Sequence, residues 1–267
     1  MGPIVFDIDP VAISIGHFAI RWYGLGIVAA IVVGFAIALR EAKRKGVSED
    51  DIYSLGTWAV IAAFIGARLL HVIDNWSYYS ANPGAILAMQ NGGLAILGGI
   101  LGGAAVGLTY ARVRGLPVRR IADIAAPALI LGQAIGRIGC VINGDAVGAP
   151  TNLPWGFVYV NPGAMAPSLG VAYHPTQAYE MLWDLAVFAL IWRWRRRPLP
   201  EGMLFLMYLS LYSAGKFAIS MLRQEALFAF GLQEAQVVSL LVIAVALPLM
   251  VVLARARPSR PAAAGVR

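Results

Sequence analysis

The sequence is short of charged residues and of cysteine. Charged side chains make up 13% of the 267 residues, whereas soluble domains carry about 25%. The single cysteine, Cys140, excludes an intramolecular disulfide and a thiolate-bound metal cluster. The three histidines (His17, His71 and His174) are scattered and lack metal-site spacing. These shortages exclude a disulfide-stapled secreted domain and argue against a zinc module.

Apolar residues are abundant instead, at 59% of the chain. They group into seven runs, each long enough to cross a bilayer as a helix of about 20 residues. The sequence therefore predicts an all-α polytopic membrane protein with seven transmembrane helices. The runs are approximately Phe18–Leu39, Ile52–Ile73, Gly93–Tyr110, Ile121–Ile142, Pro175–Trp194, Met203–Leu222 and Ala235–Ala254.

The basic residues alternate between the connections of these runs. Sixteen of the 21 lysines and arginines lie in four segments, 40–51, 112–120, 193–201 and the C-terminal tail, whereas 74–92 and 143–174 hold none. The positive-inside rule then places the N-terminus outside and the C-terminus in the cytoplasm. The net charge of +7 thus reflects topology and not nucleic-acid binding. Lys43 and Arg196 are predicted on the cytoplasmic side, and Asn82 and Asn152 outside.

Five basic residues are not explained by this topology, because they lie inside spans or on the outer side. They are Arg21, Arg68, Arg137, Lys216 and Arg223. Few carboxylates are available at membrane depth to pair with them. The candidates are Asp123, Asp145, Glu180 and Asp184. A charge within a span is costly and normally faces a protein interior or a wet cavity. The surplus of cations predicts an anionic ligand in the outer half of the bilayer, with a phospholipid headgroup the obvious choice.

The segment Gly136–Gly148 combines these features in thirteen residues. Arg137 sits near the end of the fourth run, and Asn143 and Asp145 follow it with side-chain oxygens. Glycines within the segment let the backbone turn or approach another group closely. A guanidinium beside bare backbone at a membrane boundary favours phosphate binding. The alternative is an arginine that merely extends its charge from a helix end to water.

Three further features concern packing and domain organisation. The third run repeats glycine at four-residue steps, which predicts close helix packing. We expect one transmembrane domain over residues 1–256, with an outer loop at 143–173 that forms a partly ordered cap. Residues 257–267 are rich in proline, alanine and arginine, which predicts a disordered cytoplasmic tail.

The fifth run opens with polar residues at three-residue spacing. His174, Gln177 and Glu180 share one helix face. They either point into a polar cavity or satisfy the start of the helix, and the sequence favours neither interpretation.

Together these segments resemble the prolipoprotein diacylglyceryl transferase family over nearly the whole chain. Gly136–Gly148 resembles the family signature Gly-Arg-x-Gly-Asn-Phe-x-Asn-x-Glu-x-x-Gly, and His174–Glu180 resembles its His-Pro-Ser/Thr-Gln-x-Tyr-Glu motif. Trp22–Leu25, Gly66–Leu69 and Gly231–Gln236 resemble motifs of its first, second and last helices. Five motifs in order on a matching topology make the resemblance specific.

The chain departs from the family pattern at several polar positions. Cys140 replaces an asparagine and Asp145 a glutamate in the signature. Leu97 stands where the family has a histidine, Lys216 where it has an arginine, and Ser220 where it has a glutamate. We therefore expect Lys216 to lack a carboxylate partner and the transferase to be slowed but still active.

The resemblance implies transfer of a diacylglyceryl group from phosphatidylglycerol to the lipobox cysteine of a prolipoprotein signal peptide, with release of glycerol phosphate. It implies no metal or organic cofactor and a multi-pass location in the bacterial cytoplasmic (inner) membrane. It assigns catalysis to Arg137 and Lys216. The implied substrate-binding residues are Arg137, Tyr23, Arg68, Asn143, Asp145, Gly148, His174, Gln177, Tyr179, Glu180 and Arg223.

Two alternative functions remain open at the level of sequence. One is a catalytically impaired member that binds phospholipid or a partner only. The other is a phospholipid headgroup transferase with a different acceptor. A thioether assay on a lipobox peptide separates both alternatives from the implied reaction.

Overall fold

The computed structural model describes residues 2–16, 18–88 and 92–255, and most of these residues are helical. Its eight α-helices are α1 (Trp22–Lys45), α2 (Glu49–Asp74), α3 (Trp76–Ala81), α4 (Ile96–Val113), α5 (Val118–Asn143), α6 (Thr176–Trp194), α7 (Met203–Ser220) and α8 (Glu234–Arg255). All but the short α3 coincide with predicted spans. A 3-10 helix, Pro83–Leu87, follows α3.

Seven short strands accompany the helices, so the prediction of an all-α protein is wrong in this respect. They are β1 (Ile4–Phe6), β2 (Val11–Ile15), β3 (Phe18–Arg21), β4 (Phe157–Tyr159), β5 (Ala172–Tyr173), β6 (Leu227–Ala229) and β7 (Leu232–Gln233). β1 pairs in parallel with β4, which pairs antiparallel with β5; β2–β3 and β6–β7 are antiparallel pairs. The first predicted span also begins too early, because β3 occupies its first four residues. Apolar composition does not separate a strand from a helix when the segment is short.

Within the described residues, six helices are long and apolar enough to cross a membrane, namely α1, α2, α4, α5, α7 and α8. The protein is therefore a polytopic membrane protein. The remaining predicted span, α6, is a 19-residue helix that carries Glu180, Asp184 and Arg193. Both of its acidic side chains are buried inside the protein.

The described residues divide into two compact units, Met1–Ile37 with Ala125–Arg267, and Ala38–Ile124. In the first unit, α7 packs against α6 and α8 around a buried apolar cluster. Ile130 and Ile191 are fully buried in this cluster, beside Val187 and Leu204. α1 approaches α5 closely, since a side-chain carbon on Gly26 would meet the backbone of Gly139 at 3.6 Å.

The long connection between α5 and α6 is ordered in part by a small sheet. Phe6 of β1 packs against the rings of Phe157 and Tyr159 of β4, with centroids 4.6 and 5.4 Å apart. Phe157 and Tyr159 are buried. The strands β4 and β5 order part of residues 143–173, and the role of this segment as a cap on the outer side stays a prediction.

In the second unit, α2 and α4 pack backbone to backbone, as their glycine spacing predicts. A side-chain carbon on Gly98 would overlap the carbonyl of Gly66 and lie 2.6 Å from Leu70 Cβ. One on Gly102 would lie 3.3 Å from the Cα of Gly66. The glycine pattern therefore serves helix contact. The predicted tail at 257–267 lies outside the described residues, and the single domain over 1–256 stays a prediction.

Candidate functional site

One carboxylate in the first unit lies among three cations from different parts of the chain. Glu180 of α6 forms an ion pair through Oε2 with the Arg137 guanidinium of α5. Its Oε1 accepts a hydrogen bond from Lys216 Nζ of α7 at 2.9 Å and lies 4.0 Å from Arg223. Arg223 follows α7 and also contacts Glu225 at 3.1 Å. The structure thus brings together four of the predicted site residues.

These side chains are largely shielded by the protein. The exposed fractions of the Arg137, Lys216 and Arg223 side chains are 18%, 17% and 15%, and that of Glu180 is 5%. Arg137 therefore faces the protein interior, as a charge within a span should. In such shielded surroundings, cation–anion attraction is much stronger than in water.

A glycine on α7 allows α6 and α7 to pack closely together. Trp183 packs its indole against Gly215, where any side-chain carbon would overlap the ring. The indole nitrogen also donates to the Leu211 carbonyl at 2.9 Å. This contact fixes α6 against α7 one residue before Lys216, so the Lys216 ammonium reaches Glu180.

The expectation that Lys216 lacks a carboxylate partner is wrong. Its partner is Glu180 of the neighbouring helix and not a residue one turn along α7. Ser220, at the family's glutamate position, is fully buried and donates its hydroxyl to the Phe217 carbonyl at 2.7 Å.

The turn after α5 holds two more predicted residues. Gly144 adopts a φ of 77°, which a glycine tolerates well at a helix end. Asn143 is buried, and its amide donates to Asp145 Oδ1 and to the sulfur of Met165, both at 3.1 Å. Its Oδ1 has no hydrogen-bond partner within the described residues. This acceptor is therefore free to receive a ligand donor.

The polar residues at the start of α6 point inward. Gln177 donates to the Tyr159 hydroxyl at 2.9 Å, and that hydroxyl donates to the Val141 carbonyl at 2.8 Å. Burial raises the pKa of Tyr159 well above its usual range, so the phenol stays protonated. Gln177 Oε1 and His174 Nδ1 are buried without a partner in the described part of the chain. The N-cap residue, Pro175, makes no side-chain cap bond, so the polar-interior interpretation is favoured over helix capping.

Gly148 is positioned by packing. A side-chain carbon there would lie 2.6 Å from the Leu222 carbonyl and 2.8 Å from His174 Cβ. Its amide donates to the His174 carbonyl at 2.8 Å. Gly148 thus lets the chain after α5 lie against the start of α6 and the end of α7.

Two tyrosines complete the predicted set in this unit. Tyr23 opens α1 and lies against Gly139, where a side-chain carbon would approach the Tyr23 Cα to 2.9 Å. The Tyr179 hydroxyl accepts a hydrogen bond from the Trp155 indole at 2.8 Å. Tyr23 therefore contacts α5 within one helical turn of Arg137, and Tyr179 joins α6 to the outer loop.

Arg68 belongs to the second unit and is buried there. Its guanidinium donates to the carbonyls of a single segment that follows α3. These carbonyls belong to Ala85, Ile86, Ala88, Gly92 and Gly93, at 2.6 to 3.5 Å. The contacts support a structural role for Arg68, and its role in substrate binding stays a prediction.

Sequence reasoning gives Asp184 no role beyond a possible counter-ion and does not single out Tyr212. Asp184 is buried one turn after Glu180 and lies near Arg137 and Lys216. Tyr212 of α7 also lies near Arg137. The four-residue spacing of Glu180 and Asp184 signals a shared helix face, whereas nothing in the sequence links Tyr212 to Arg137.

Cys140 is buried, as expected of a small apolar residue, and its sulfur lies 3.9 Å from an Arg137 nitrogen. In the residues that the structure describes, no group of three or more His, Cys, Asp or Glu side chains is placed to hold a metal ion. The site gathers three cations around one carboxylate, near buried acceptors without partners in the described residues.

The fold and the site define the class: a multi-pass helical membrane protein with a shielded cationic cluster. The model of the family "Prolipoprotein diacylglyceryl transferase" matches residues 10–252. The chain belongs to the prolipoprotein diacylglyceryl transferase family.

Several relatives match over most of their length, and each is named phosphatidylglycerol–prolipoprotein diacylglyceryl transferase. The protein of Trichormus variabilis is 43% identical over 86% of this chain and 84% of its own. The protein of Dehalococcoides mccartyi is 40% identical over 92% of this chain and 94% of its own length. The protein of Clostridioides difficile is 39% identical over 87% of this chain and 90% of its own length. These matches lend no support to the expectation of reduced activity.

Proposed function

We propose that this chain is a phosphatidylglycerol–prolipoprotein diacylglyceryl transferase. It moves the diacylglyceryl group of phosphatidylglycerol to the lipobox cysteine of a prolipoprotein. Membership of the family and relatives of this name over about nine-tenths of the chain support the activity. The observation that carries the site assignment is the convergence of Arg137, Lys216 and Arg223 on one carboxylate.

The reaction exchanges one bond for another. The substrate thiolate attacks the glyceryl carbon that bears the phosphate, so a carbon–sulfur bond forms as the carbon–oxygen bond breaks. Glycerol phosphate leaves with the bonding electrons, and the thiol proton passes to solvent or to the leaving group. No metal or organic cofactor enters this scheme. Negative charge grows on the departing phosphate, and cations fixed around it stabilise the transition state.

Arg137 and Lys216 would supply most of this stabilisation. The planar guanidinium of Arg137 can donate two parallel hydrogen bonds to a phosphate, whereas the ammonium of Lys216 acts as a point charge. Both groups contact Glu180. A phosphate would compete with Glu180 for the same donors, and the contacts with Glu180 hold both cations where a phosphate could reach them.

The unpaired polar atoms fit the rest of the headgroup. Asn143 Oδ1 and Gln177 Oε1 are buried acceptors that lack partners in the described regions of the chain. The glycerol hydroxyls of phosphatidylglycerol are matching donors. The Nε of Arg223 is a buried donor that also lacks a partner in the described residues, and it can donate to a phosphate oxygen. Buried polar groups are costly unless bonded, so a ligand with both kinds of group would satisfy them.

The charge pattern supports the membrane arrangement of this enzyme. We propose that α6 crosses the bilayer as a seventh span, because α7 and other helices shield its charged face. The N-terminus then lies outside and the C-terminus in the cytoplasm. This orientation places Asn143, Asp145 and the start of α6 at the outer side of the bacterial cytoplasmic membrane, where exported prolipoproteins arrive.

Complementation tests the proposal directly. The gene is expressed in a bacterium depleted of its own transferase, and a reporter lipoprotein is analysed by mass spectrometry. We expect growth and a diacylglyceryl thioether on the lipobox cysteine, both lost in an Arg137→Ala variant. The exposed Arg114, which pairs with Asp51 in the second unit, provides the matched control as Arg114→Ala. A reporter without the added mass, despite normal membrane levels of the protein, would favour the binding-only alternative.

A further inference from the structure

The hairpin Leu227–Gln233, formed by β6 and β7, exposes an unusually apolar tip. Leu227, Phe228 and Phe230 are 71%, 68% and 96% exposed. The chain has no charged residue between Glu225 and Glu234. Large exposed apolar side chains grouped in one segment mark a contact with a partner or a membrane. Nothing among the described residues covers this tip.

The backbone of the turn at the tip is unfavourable for the aromatic residue that occupies it, Phe230. Ala229 pairs with Leu232, so Phe230 and Gly231 form a two-residue connection. Both have positive φ, 54° and 73°, which is the requirement of a type I′ turn and normally selects Asn-Gly. A bulky residue at positive φ is strained. Because Phe230 suits neither the turn nor water, its side chain must serve a contact outside the fold.

The position of the hairpin indicates what that contact is. It connects α7 to α8, two helices apolar enough to span a membrane. Phe230 precedes the first residue of α8 by four residues, a reach of about 14 Å at full extension. Exposed apolar side chains continue along α8 with Val238, Leu240 and Leu241. The apolar tip thus adjoins, along the chain, the exposed apolar side chains of a helix that is apolar enough to span a membrane.

The base of the hairpin is held to the rest of the unit. Gln233 Nε2 donates to the Arg223 carbonyl at 2.8 Å, and Gln236 Oε1 accepts from the Gln233 amide at 3.0 Å. Glu225 is paired with Arg223, so its charge does not oppose an approach to lipid. The hairpin therefore presents its tip from a base that hydrogen bonds hold in place.

We propose that this hairpin is a membrane anchor that inserts Leu227, Phe228 and Phe230 into the adjacent lipid leaflet. The side chains would enter the boundary between headgroups and acyl chains, where Phe and Leu of interfacial segments reside. The anchor does not depend on the transferase reaction, and it can be tested without turnover.

Depth measurement provides the first test. With Cys140→Ser removing the only native thiol, Phe230→Cys is labelled with an environment-sensitive fluorophore and reconstituted into phosphatidylcholine–phosphatidylglycerol vesicles. We expect emission shifted to shorter wavelength, quenching by nitroxides near the top of the acyl chain, and protection from iodide. The control is Ser168→Cys, exposed in the outer loop, with the opposite pattern. Iodide access equal to the control would overturn the proposal. So would a shifted emission without lipid quenching, which would indicate a protein partner or a second copy.

A turn-compatible substitution separates anchoring from folding. Asparagine accepts positive φ, so Phe230→Asn should leave the unfolding temperature in detergent unchanged or higher. The same change should reduce lipid quenching of a label at Leu227→Cys, whereas Phe230→Trp should preserve it. A lower unfolding temperature for Phe230→Asn in detergent would show that the ring is needed within the fold and would overturn the anchor.

Discussion

At Glu180, three cationic side chains lie around a single carboxylate. Lys216 donates to one oxygen at 2.9 Å while Arg137 binds the other. Removing either partner of a buried ion pair leaves an uncompensated charge and is strongly destabilising. The cations that Glu180 pairs therefore contribute to stability, and the same groups are the ones that the proposed phosphate recognition would use.

The first prediction concerns Arg137. Replacing it with alanine should lower diacylglyceryl transfer by at least one to two orders of magnitude, because a charged hydrogen bond contributes about 1.5–3 kcal/mol. Arg137→Lys should also lose most activity, since an ammonium lacks the two-pronged geometry. Initial rates on a lipobox peptide in detergent provide the measurement, with Arg114→Ala expected near the parent rate. Near-normal turnover of Arg137→Ala would place the site elsewhere.

The second prediction concerns Glu180. In Glu180→Gln the three cations lose their shared anion, so the unfolding temperature in lipid-free detergent should fall. Phosphatidylglycerol should restore more stability to this variant than to the parent, because ligand that binds the folded state stabilises it. Thermal unfolding with and without added lipid measures both effects. Glu234→Gln, exposed at the start of α8, is the control, and equal lipid-induced shifts in all three proteins would contradict a headgroup site at these cations.

At the scale of elements, small residues decide which helices can meet. Gly215 allows the Trp183 ring to lie against α7, and Gly139 allows α1 to lie against α5. The glycines of α4 do the same for α2. In a membrane, where lipid removes most of the hydrophobic drive between helices, such close packing is the main source of association.

The third prediction tests the contact between α2 and α4. Gly98→Leu should separate these helices, because even the first side-chain carbon would overlap the Gly66 carbonyl and lie 2.6 Å from Leu70 Cβ. Overpacking of this kind costs about 1–3 kcal/mol, and we expect a clearly lower unfolding temperature in detergent.

Gly24→Ala is the matched control for that change. A side-chain carbon at Gly24 has nothing within 4 Å, and a compatible Gly→Ala change alters stability by about 0.4–1 kcal/mol, in the stabilising direction. If Gly98→Leu unfolds at the same temperature as Gly24→Ala, the tight contact between α2 and α4 is absent from the protein in detergent.

At the scale of the whole molecule, the distribution of charge predicts the orientation in the membrane. Four basic segments alternate with two connections that have no lysine or arginine. The six helices that qualify as spans need α6 as a seventh for every basic segment to lie on one side. The polar face of α6 can cross the bilayer because Glu180 and Asp184 are buried inside the first unit.

The fourth prediction follows from this topology. In a Cys140→Ser background, single cysteines at positions 82 and 152 should react with a membrane-impermeant thiol reagent in intact cells. Cysteines at positions 43 and 196 should react only after the membrane is opened. Labelling at 196 in intact cells would overturn the orientation, and equal labelling at 152 and 196 would remove α6 as a span.

Much of the candidate site can be predicted from the sequence because motif residues carry their chemistry with them. Arg137, Glu180, Lys216 and Arg223 stand out in the sequence as charges within or beside apolar runs, and the structure brings all four together. The places of Tyr212 and Asp184 beside Arg137 cannot be predicted in this way, because they depend on which faces of α5, α6 and α7 meet. The small strands also escape prediction, because pairing partners such as β1 and β4 are some 150 residues apart in the chain.

The class of protein, the approximate limits of its long helices, the alternation of its basic segments and the family can all be predicted from the sequence. Each of these depends on composition, periodicity or motifs along the chain. Which charges pair with one another depends on how the helices pack. Lys216 finds its carboxylate on α6 because Gly215 and Trp183 bring two helices together, and Arg68 donates its guanidinium to backbone carbonyls. Ion pairs and exposed tips depend on distances in space, and no linear pattern encodes those distances.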